Sequence, residues 1–425
     1  MTAKIELPVS KSIGARFLVA SYFAGTLPAD PYFEDNDDLQ VMQNVLLTLY
    51  ADEEEVDYGE TPLDVHASGT AMRFVTAVCA STPEADFVVT GTERLCQRPM
   101  QPLIETLREA GAVIECRGKD ETGPYRVTGA KLKGGDFAIK GNVSSQFISA
   151  LMLVAPSWEK GMTLNFLTPL VSAPYVKMTA EVMKKFSVNA ELTETEVRVP
   201  SASYIDPENF KVERDWSSAA FFYEAAALGA QEMLLEGLEA PDKSIQGDSV
   251  TADLFAKLGV KTEINADGVI VTRPSSSEDN EDAKGKEKIV VNMSDCPDLV
   301  PAFAVACAFT GHPFRLAGVK NLRNKESDRI EALISQMAKF GCALEAGDDT
   351  FECDNPEVKF DEEVTVNTFD DHRIAMAFAM TALKCGKVRI ENPETVEKSF
   401  AGFWEQLSKT GLRCRMDGNI MVVEK

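Results

Sequence analysis

The chain has 425 residues, of which 44% are hydrophobic, and its formal net charge is −24. A chain of this length favours two large domains over one. The negative charge argues against nucleic acid or an anionic membrane as a partner, because both attract basic surfaces. No apolar run approaches the ~20 residues that span a bilayer, and the N-terminus lacks the pattern of a signal or transit peptide. A cytoplasmic location is therefore expected.

The cysteines and histidines exclude several kinds of site. The nine cysteines are scattered without CxxC pairs, and there are three histidines. Scattered thiols in apolar surroundings are typical of a reducing compartment and not of a disulfide framework or a zinc site. Neither a Walker A pattern nor a GxGxxG motif is present. The sequence therefore predicts no metal and no organic cofactor.

The first predicted helix begins near Ile13, after the segment LPVSKS at residues 7–12. Lys11, Ser12 and the backbone N–H groups of a helix start would together form an anion site. Arg16 lies one turn further along the same face. A capped helix with solvated charges is the alternative interpretation.

Three more helices of the first half begin with small, polar or basic residues. In ASGTAMRFVTAV (67–78), Gly69 would let the backbone approach a phosphate, or it only forms a tight turn. In RLCQRPMQPLIETL (94–107), the guanidinium of Arg98 can bind a carboxylate or phosphate through two hydrogen bonds. GNVSSQFISALMLVAP (141–156) brings two hydroxyls and an amide to a helix start, either as caps or as donors to a polyhydroxylated ligand.

Two apolar helices of the second half are preceded by acids. DWSSAAFFYEAAAL (215–228) is typical of a capped helix. In NMSDCPDLVPAFAVACAF (292–309), Asp295 and Asp298 precede the helix. They are either helix-capping acids or a base held at the rim of a dry site.

Three charged helix starts follow. Each places charged residues, at least one of them basic, at or near the start of a predicted helix. They are Lys325, Glu326 and Arg329 within 321–337, Asp371, His372 and Arg373 within 369–380, and Lys398 within 397–404. Surface salt bridges would also explain the first run. Because the chain is acidic overall, basic residues gathered at helix N-termini, which carry partial positive charge, predict a ligand with several negative charges.

A helix-to-strand joint recurs along the chain at a spacing of roughly 70 to 80 residues. The joints lie at Gly111, Ser187, Gly259, Gly341 and Gly411. An amphipathic stretch ends at each and an alternating strand follows, which predicts a helix C-cap in the left-handed region. Residues 42–60 are a candidate sixth copy, so the repeats predict two domains of three units. The polar segment 275–288 is interpreted as a mobile hairpin loop between two strands.

Taken in order, the motifs resemble those of the EPSP synthase family, from about Leu7 to Phe403. The likeness is carried by LPxSKS, SGTAMR, RPM, VSSQF, DxSSA, DxxP, NxxxKESDR, DDHRxAM and KSF. The resemblance implies an α/β, two-domain enolpyruvyl transferase fold. Each domain would have three repeated βαβαββ units, and the active site would lie in the interdomain cleft.

The resemblance also implies where the domains divide. The chain would cross between them near 10–12 and 212–215. Domain I, with the acid and base motifs, would then comprise residues 1–11 and 214–425. Domain II, with the motifs that bind shikimate 3-phosphate, would comprise residues 12–213.

The implied reaction is an addition–elimination in the synthesis of aromatic amino acids, by a monomer that needs no cofactor. The 5-hydroxyl of shikimate 3-phosphate attacks C2 of phosphoenolpyruvate while C3 is protonated, and phosphate then leaves. Asp298 matches the family's base, with Asp295 the competing assignment. Glu326 matches the acid/base group, and Lys11 could serve both ligands.

The resemblance assigns binding residues to both substrates. For shikimate 3-phosphate they are Lys11, Ser12, Arg16, Ser144, Ser145, Gln146, Ser172, Tyr175, Asp298, Asn321 and Lys325. For phosphoenolpyruvate they are Lys11, Gly69, Arg98, Gln146, Arg329, Arg373 and Lys398.

Several positions depart from the family pattern, mostly in the first half. Ala67 replaces an Asn, and the lost hydrogen bond would cost about 0.5–1.5 kcal/mol; His66 is a candidate replacement. Val9 replaces a Gly, Gly14–Ala15 replace Ser–Asn, and Ala401 replaces a Pro. Two alternatives are a sibling transferase acting on UDP-N-acetylglucosamine and a non-catalytic anion-binding relative. The sibling would need a Lys-Asn start and a loop cysteine.

Overall fold

The computed structural model describes residues 2–30, 33, 35–50, 62–273, 286–359 and 363–425. The chain divides into two compact units: unit 1 is Met1–Ser10 with Glu213–Lys425, and unit 2 is Lys11–Val212. The altered joint of the candidate sixth repeat and most of the segment 275–288 lie outside the described residues.

The helices and strands alternate along most of the chain. The helices are α1 Lys11–Ala24, α2 Asp37–Thr48, α3 Gly69–Ser81, α4 Glu93–Cys96, α5 Gln101–Ala110, α6 Ser145–Val154, α7 Ala173–Lys185, α8 Trp216–Ala227, α9 Thr251–Ala256, α10 Val300–Phe309, α11 Arg329–Ala338, α12 His372–Met380, α13 Ala382–Cys385, α14 Glu397–Phe400 and α15 Phe403–Ser408. The strands are β1 Ala3–Glu6, β2 Pro62–Asp64, β3 Asp86–Thr90, β4 Val113–Cys116, β5 Tyr125–Thr128, β6 Gly135–Ile139, β7 Met162–Phe166, β8 Glu191–Leu192, β9 Glu196–Val199, β10 Met233–Glu236, β11 Lys261–Asn265, β12 Gly268–Thr272, β13 Ile289–Asn292, β14 Phe314–Ala317, β15 Glu345–Ala346, β16 Thr350–Cys353, β17 Val364–Val366, β18 Lys387–Glu391, β19 Arg413–Asp417 and β20 Ile420–Glu424. Short 3₁₀ turns at Gly247–Val250, Pro297–Leu299 and Lys320–Asn324 precede α9, α10 and α11.

Among the described residues, the strands form five four-stranded sheets with one shared topology. Their orders are β2-β3-β5-β4, β6-β7-β9-β8, β1-β10-β12-β11, β13-β14-β16-β15 and β17-β18-β20-β19. In each sheet the first two strands are parallel, and the remaining pairs are antiparallel. A parallel pair requires a crossover. Each crossover here includes a helix, and the one between β1 and β10 also includes all of unit 2. This is the predicted βαβαββ repeat, seen three times in unit 1 and twice in the described part of unit 2.

The predicted C-caps are confirmed at all five joints. The backbone φ is +115° at Gly111, +66° at Ser187, +80° at Gly259, +71° at Gly341 and +97° at Gly411. Glycine adopts this left-handed region without steric cost. Ser187 carries a Cβ in the same conformation, so the joint of unit 2 that lacks glycine is strained by about 1–2 kcal/mol.

Three helices form the centre of each unit. In unit 1, α8, α10 and α12 pack against one another and are buried along their whole length. In unit 2, α1, α3 and α6 pack in the corresponding way. A helix that is apolar on all sides belongs inside a core. The sequence motifs of these helices lie at or near the helix starts, whereas Glu224 is a buried polar residue further along α8.

Two predictions from the sequence are wrong. The first helix begins at Lys11 and not near Ile13, so Lys11 and Ser12 are part of α1. The hairpin interpretation of 275–288 is wrong, since β12 and β13 belong to different sheets. The segment therefore joins the end of one repeat to the start of the next. No helix in the described ranges is long and apolar enough to cross a membrane.

Candidate functional site

The charged motifs of unit 1 meet at the starts of three helices. Asp298 lies in the turn before α10, Arg329 is the first residue of α11, and Arg373 is the second residue of α12. We call the following six residues the charged cluster: Asp298, Lys325, Glu326, Arg329, Asp371 and Arg373.

Arg329 is the residue that joins the acids of the charged cluster, with 1% of its side chain exposed. Its Nη1 donates to Asp298 Oδ1 at 2.8 Å, its Nη2 to Glu326 Oε2 at 2.7 Å and its Nε to Asp371 Oδ2 at 2.8 Å. Burial acts to lower the pKa of Arg329, but the three carboxylates, Asp371 foremost, raise it above its ordinary value. The guanidinium is therefore a fixed cation that orients three acids.

Asp298 accepts hydrogen bonds from three cations. The donors are Lys325 Nζ at 3.3 Å, Arg329 Nη1 at 2.8 Å and Arg373 Nη2 at 3.1 Å. Burial acts to raise the pKa of Asp298, but Arg373, Lys325 and Arg329 outweigh it and hold that pKa well below its usual range. Asp298 is therefore ionised at neutral pH. The competing residue Asp295 is exposed, so the geometry favours Asp298 as the base.

Asp371 belongs to the sequence motif at 369–380, which by itself assigns this residue no role. It is fully buried, and it accepts from Arg329, from Ser327 Oγ at 3.0 Å and from the backbone N–H of Arg373 at 3.0 Å. The last bond makes Asp371 the N-cap of α12. An acid directly before an apolar helix is the signal that could have indicated this cap.

Two more buried acids lie close to the charged cluster. Asp215 is the N-cap of α8 and accepts from the backbone N–H and hydroxyl of Ser218. Asp248, in the turn before α9, accepts from the hydroxyl of Ser217. Burial, and then the charge of Asp298, raise the pKa of Asp248 to about 7. The sequence contains no pattern that would have indicated Asp248.

In unit 2, Lys11 forms an ion pair at the start of α1. Its Nζ lies 3.0 Å from Asp38 Oδ2, and the exposed fractions of the two side chains are 17% and 10%. Asp38 lies in the first turn of α2 and was not identified from the sequence. The partners are 27 residues apart, which is why helix periodicity could not have joined them.

Arg16 is buried in an uncharged environment. It donates to the hydroxyls of Thr179 and Ser149 and to the backbone carbonyls of Ser12 and Tyr175. Burial lowers the pKa of Arg16 to about 10, so it stays protonated at neutral pH. Among the described residues its hydrogen-bond acceptors are these hydroxyls and backbone carbonyls, and no carboxylate forms a salt bridge with it. Its positive charge is therefore available to an anion.

Two arginine side chains approach Gly69 closely. A Cβ at this position would lie 2.6 Å from Arg98 Nη1 and 3.0 Å from Arg73 Nη1. Arg73 also donates to the Gly69 carbonyl at 2.8 Å. Glycine thus lets two guanidinium groups reach the start of α3, which favours an anion site there.

The remaining predicted residues of unit 2 stand at the starts of α6 and α7. Ser144 caps α6 and accepts from the backbone N–H of Gln146, whose side chain donates to Thr70 at 3.0 Å. Ser145 is the first residue of α6, and Ser172 precedes α7 with a φ of +57°. The Tyr175 carbonyl accepts from Arg16. The capping interpretation of Ser144 therefore holds, and it leaves the ligand interpretation open to test.

In unit 1, two predicted residues lie beyond the charged cluster. Asn321 is in the turn before α11, and Lys398 is half-buried in α14.

Two departures from the family pattern have a structural setting. A Cβ at Gly14 would lie 2.6 Å from Leu39 Cδ1, so glycine allows α1 to pack closely on α2. Ala67 and His66 are exposed, and His66 has a φ of +50°. Whether His66 replaces the missing amide stays a prediction.

In the part of the chain that the structure describes, no group of three or more His, Cys, Asp or Glu side chains is arranged to hold a metal ion.

Comparisons with known proteins agree on one family. The family model of EPSP synthase (3-phosphoshikimate 1-carboxyvinyltransferase) matches residues 1–407. A Bacteroides fragilis protein named 3-phosphoshikimate 1-carboxyvinyltransferase is 38% identical over 413 residues, which cover 96% of this chain and 95% of the relative. A protein of the same name from Aliivibrio salmonicida is 32% identical over 427 residues, covering 96% of each chain. The structure of EPSP synthase from Acinetobacter baumannii has a TM-score of 0.70 and 21% identity, and the match covers 100% of this chain and 98% of that one. This last likeness confirms the predicted fold class.

Proposed function

The chain belongs to the EPSP synthase family, and we propose that its charged helix starts bind and activate the two substrates of that family's reaction. The chain transfers the enolpyruvyl group of phosphoenolpyruvate to shikimate 3-phosphate, a step of the shikimate pathway to aromatic amino acids. One observation carries the assignment of residues. It is Asp298, an ionised carboxylate bonded to three cations at a helix start.

Asp298 is the base of the addition step. The 5-hydroxyl of shikimate 3-phosphate gives its proton to Asp298 and its oxygen forms a bond to C2 of phosphoenolpyruvate, while C3 takes up a proton. In the elimination step C3 returns a proton to the group that donated it, phosphate leaves from C2, and Asp298 passes its proton to solvent. The three cations make Asp298 a weak base. An anionic substrate on those cations weakens their effect, so Asp298 becomes a stronger base once the substrates bind.

Glu326 is the proposed acid that protonates C3. Its Oε2 accepts from Arg329 at 2.7 Å, which fixes the direction of the carboxyl group. Lys11 is the second candidate, because it carries a transferable proton and Asp38 orients it. Replacing each residue in turn and measuring the exchange of solvent hydrogen into C3 distinguishes them.

The binding residues are proposed in two sets. Phosphoenolpyruvate is bound by basic and small residues from helix starts, namely Lys11, Gly69, Arg98, Gln146, Arg329, Arg373 and Lys398. Shikimate 3-phosphate is bound by hydroxyls, amides and charges, namely Lys11, Ser12, Arg16, Ser144, Ser145, Gln146, Ser172, Tyr175, Asp298, Asn321 and Lys325. Helix N-termini and Arg or Lys side chains are favourable partners for both carboxylate and phosphate groups.

Phosphate release tests the proposal directly. The protein is mixed with phosphoenolpyruvate and shikimate 3-phosphate, and inorganic phosphate and the enol ether product are measured. We expect both to appear in equal amounts and neither to form when UDP-N-acetylglucosamine replaces shikimate 3-phosphate. Release with the nucleotide sugar instead would favour the sibling transferase, and release with neither acceptor would favour a non-catalytic relative.

We also infer a monomer that acts in the cytoplasm. All nine cysteines are free thiols, which fits a reducing compartment. Sedimentation at micromolar concentration should give the mass of one chain, and the mass of two chains would contradict a monomer.

A further inference from the structure

The two residues directly before Asp371 of the charged cluster have a left-handed backbone. Phe369 has a φ of +53° and Asp370 a φ of +55°. The backbone N–H of Asp371 donates to the Thr368 carbonyl at 3.0 Å, which closes a turn with positive φ at both central positions. Such turns favour Gly, Asn and Asp. Phe369 is therefore strained, and because it is 42% exposed, burial offsets little of that strain.

The turn is tied to α11, the helix that begins with Arg329. Asn367 Oδ1 accepts from the backbone N–H of Phe369 at 2.8 Å, and the backbone N–H of Asn367 donates at 2.9 Å to Oε1 of Gln336, a buried residue of α11. The carboxylate of Asp371 completes the link, because it accepts from Arg329 Nε at 2.8 Å. The conformation of the turn therefore determines where Asp371 meets Arg329.

A second contact ties the turn to the segment that carries Lys398. Asn392 Nδ2 donates to Asp370 Oδ1 at 2.9 Å. Asn392 has a φ of +46° and directly precedes the 3₁₀ turn Pro393–Val396, which packs against α12 and leads without a break into α14. The hydrogen bond thus joins the approach to α12, whose second residue is Arg373, to the approach to α14.

The two segments that this hydrogen bond joins each carry a cation of the proposed phosphoenolpyruvate site. Under the proposed function, Arg373 and Lys398 bind the same small ligand. A ligand held by two cations loses affinity when they move independently, because ordering them on binding costs conformational entropy. Asp370 and Asn392 suit the contact, since Asp and Asn tolerate the left-handed backbone that both positions adopt.

We propose that Asp370 and Asn392 are positioning residues, whose hydrogen bond holds Arg373 and Lys398 at the separation that phosphoenolpyruvate requires. The inference rests on the proposed roles of those two cations in substrate binding. Loss of the bond should raise the KM for phosphoenolpyruvate by about threefold to tenfold, the usual contribution of one hydrogen bond. The affinity for shikimate 3-phosphate should hardly change, because most of its proposed binding residues lie in unit 2.

Exchanging the two side chains tests the hydrogen bond itself. Asn392→Asp places two carboxylates against each other and should raise the KM for phosphoenolpyruvate, measured by phosphate release at saturating shikimate 3-phosphate. The double variant Asp370→Asn with Asn392→Asp has the net charge of wild type and restores an amide donor opposite a carboxylate, so its KM should return to the wild-type value. Asp370→Asn alone keeps an acceptor for Asn392 and should keep a low KM. Asp and Asn both suit left-handed backbone, so backbone strain is matched across the set.

Two controls separate this role from general effects on charge and fold. Asn265→Asp adds the same charge at an exposed residue of unit 1, at the end of β11, and should leave the KM unchanged. Calorimetric titration with shikimate 3-phosphate should give the wild-type affinity for every variant. Asn392→Gly removes the donor and keeps the left-handed backbone. If Asn392→Asp does not fold, Asn392→Gly decides the matter, and a wild-type KM for it overturns the inference.

The failures of the two proposals can be told apart. A purely structural role would lower the free energy of unfolding of Asn392→Asp in urea and leave its KM for phosphoenolpyruvate unchanged. That result, or a double variant no better than Asn392→Asp, would contradict the role of the hydrogen bond and leave the proposed function intact. Wild type that releases no phosphate from phosphoenolpyruvate and shikimate 3-phosphate would contradict the proposed function itself.

Discussion

Arg329, the first residue of α11 in unit 1, and Arg16, in the second turn of α1 in unit 2, are both buried, but their charges are balanced differently. Arg329 donates to three carboxylates. Arg16 donates to two hydroxyls and two backbone carbonyls. Carboxylates raise the pKa of Arg329 against the effect of burial, whereas burial lowers that of Arg16 to about 10. The contrast concerns these two arginines and not the whole units, since Lys11 of unit 2 is paired with Asp38.

The difference indicates two tasks. An arginine surrounded by neutral groups can receive an anion without giving up an ion pair. An arginine already bonded to carboxylates holds those acids in place and must share its charge with any ligand. Arg16 therefore suits binding of a substrate phosphate, and Arg329 suits the orientation of Asp298 and Glu326 for proton transfer.

The largest expected effect is the loss of the base. Asp298→Asn should lower kcat by about 10²–10⁴-fold, the usual contribution of a general base, because an amide cannot accept the hydroxyl proton. Phosphate release at saturating concentrations of both substrates measures this. Asp295→Asn is the matched control and should stay near wild type. If Asp295→Asn were instead the inactive variant, the assignment of Asp298 would be wrong.

The second effect compares the two arginines directly. Arg329→Met removes the buried cation that Asp298, Glu326 and fully buried Asp371 share, and should lower the free energy of unfolding by about 3–5 kcal/mol. Arg16→Met leaves only neutral acceptors and should cost about 1–3 kcal/mol. Urea unfolding followed by fluorescence and circular dichroism measures both. Equal losses of unfolding free energy in the two variants would mean that the carboxylates around Arg329 do not make its removal more costly than that of Arg16.

Glu224 provides a third case, a buried acid with no cation. It is fully buried in α8, neither carboxyl oxygen has a hydrogen-bond partner among the described residues, and burial raises its pKa well above the ordinary value of 4.5. The folded protein therefore favours the neutral form, and stability is lost as pH rises from 4.5 towards the raised pKa. Glu224→Met should add about 1–3 kcal/mol at pH 7.

The pH dependence of that gain is the check. Unfolding free energies measured between pH 5 and pH 8 should diverge, with the variant gaining more over wild type at the higher pH. Glu405→Met on the same unit changes an exposed acid and should show no such divergence. A gain from Glu224→Met that is constant across this range would mean that packing, and not the charge, is responsible.

Local rules predicted the repeat well. The C-caps at Gly111, Gly259, Gly341 and Gly411 depend on residues that are adjacent in sequence, and all have positive φ. The helix starts that carry Ser144 and Arg373 were predicted for the same reason. A helix ends or begins through contacts within one turn, so its signals are readable from the sequence.

Charge pairing was predicted poorly. Asp371 lies 42 residues from Arg329, and Asp38 lies 27 from Lys11. Which carboxylate a cation contacts depends on how helices from different repeats pack, and periodicity carries no information on that. The run around Arg329 shows the difficulty. Arg323 does form the surface pairs that such a run usually indicates, whereas Arg329 is buried.

The smallest effect concerns Ser187, the joint of unit 2 without glycine. Ser187→Gly removes a Cβ from a left-handed residue and should raise the free energy of unfolding by about 1 kcal/mol. The gain is reduced because glycine also loosens the unfolded chain. The reciprocal change in unit 1, Gly259→Ser, should cost a similar amount, since the φ of Gly259 is +80°. A Cβ there would lie 3.6 Å from Arg273 Nε, an ordinary van der Waals contact, so a steric clash adds nothing to the cost. Opposite signs for the two variants in urea unfolding would tie the difference to backbone conformation. A gain from Ser187→Gly without a loss from Gly259→Ser would mean that the joints of the two units are not equivalent, and that the strain at Ser187 belongs to its surroundings and not to the repeat.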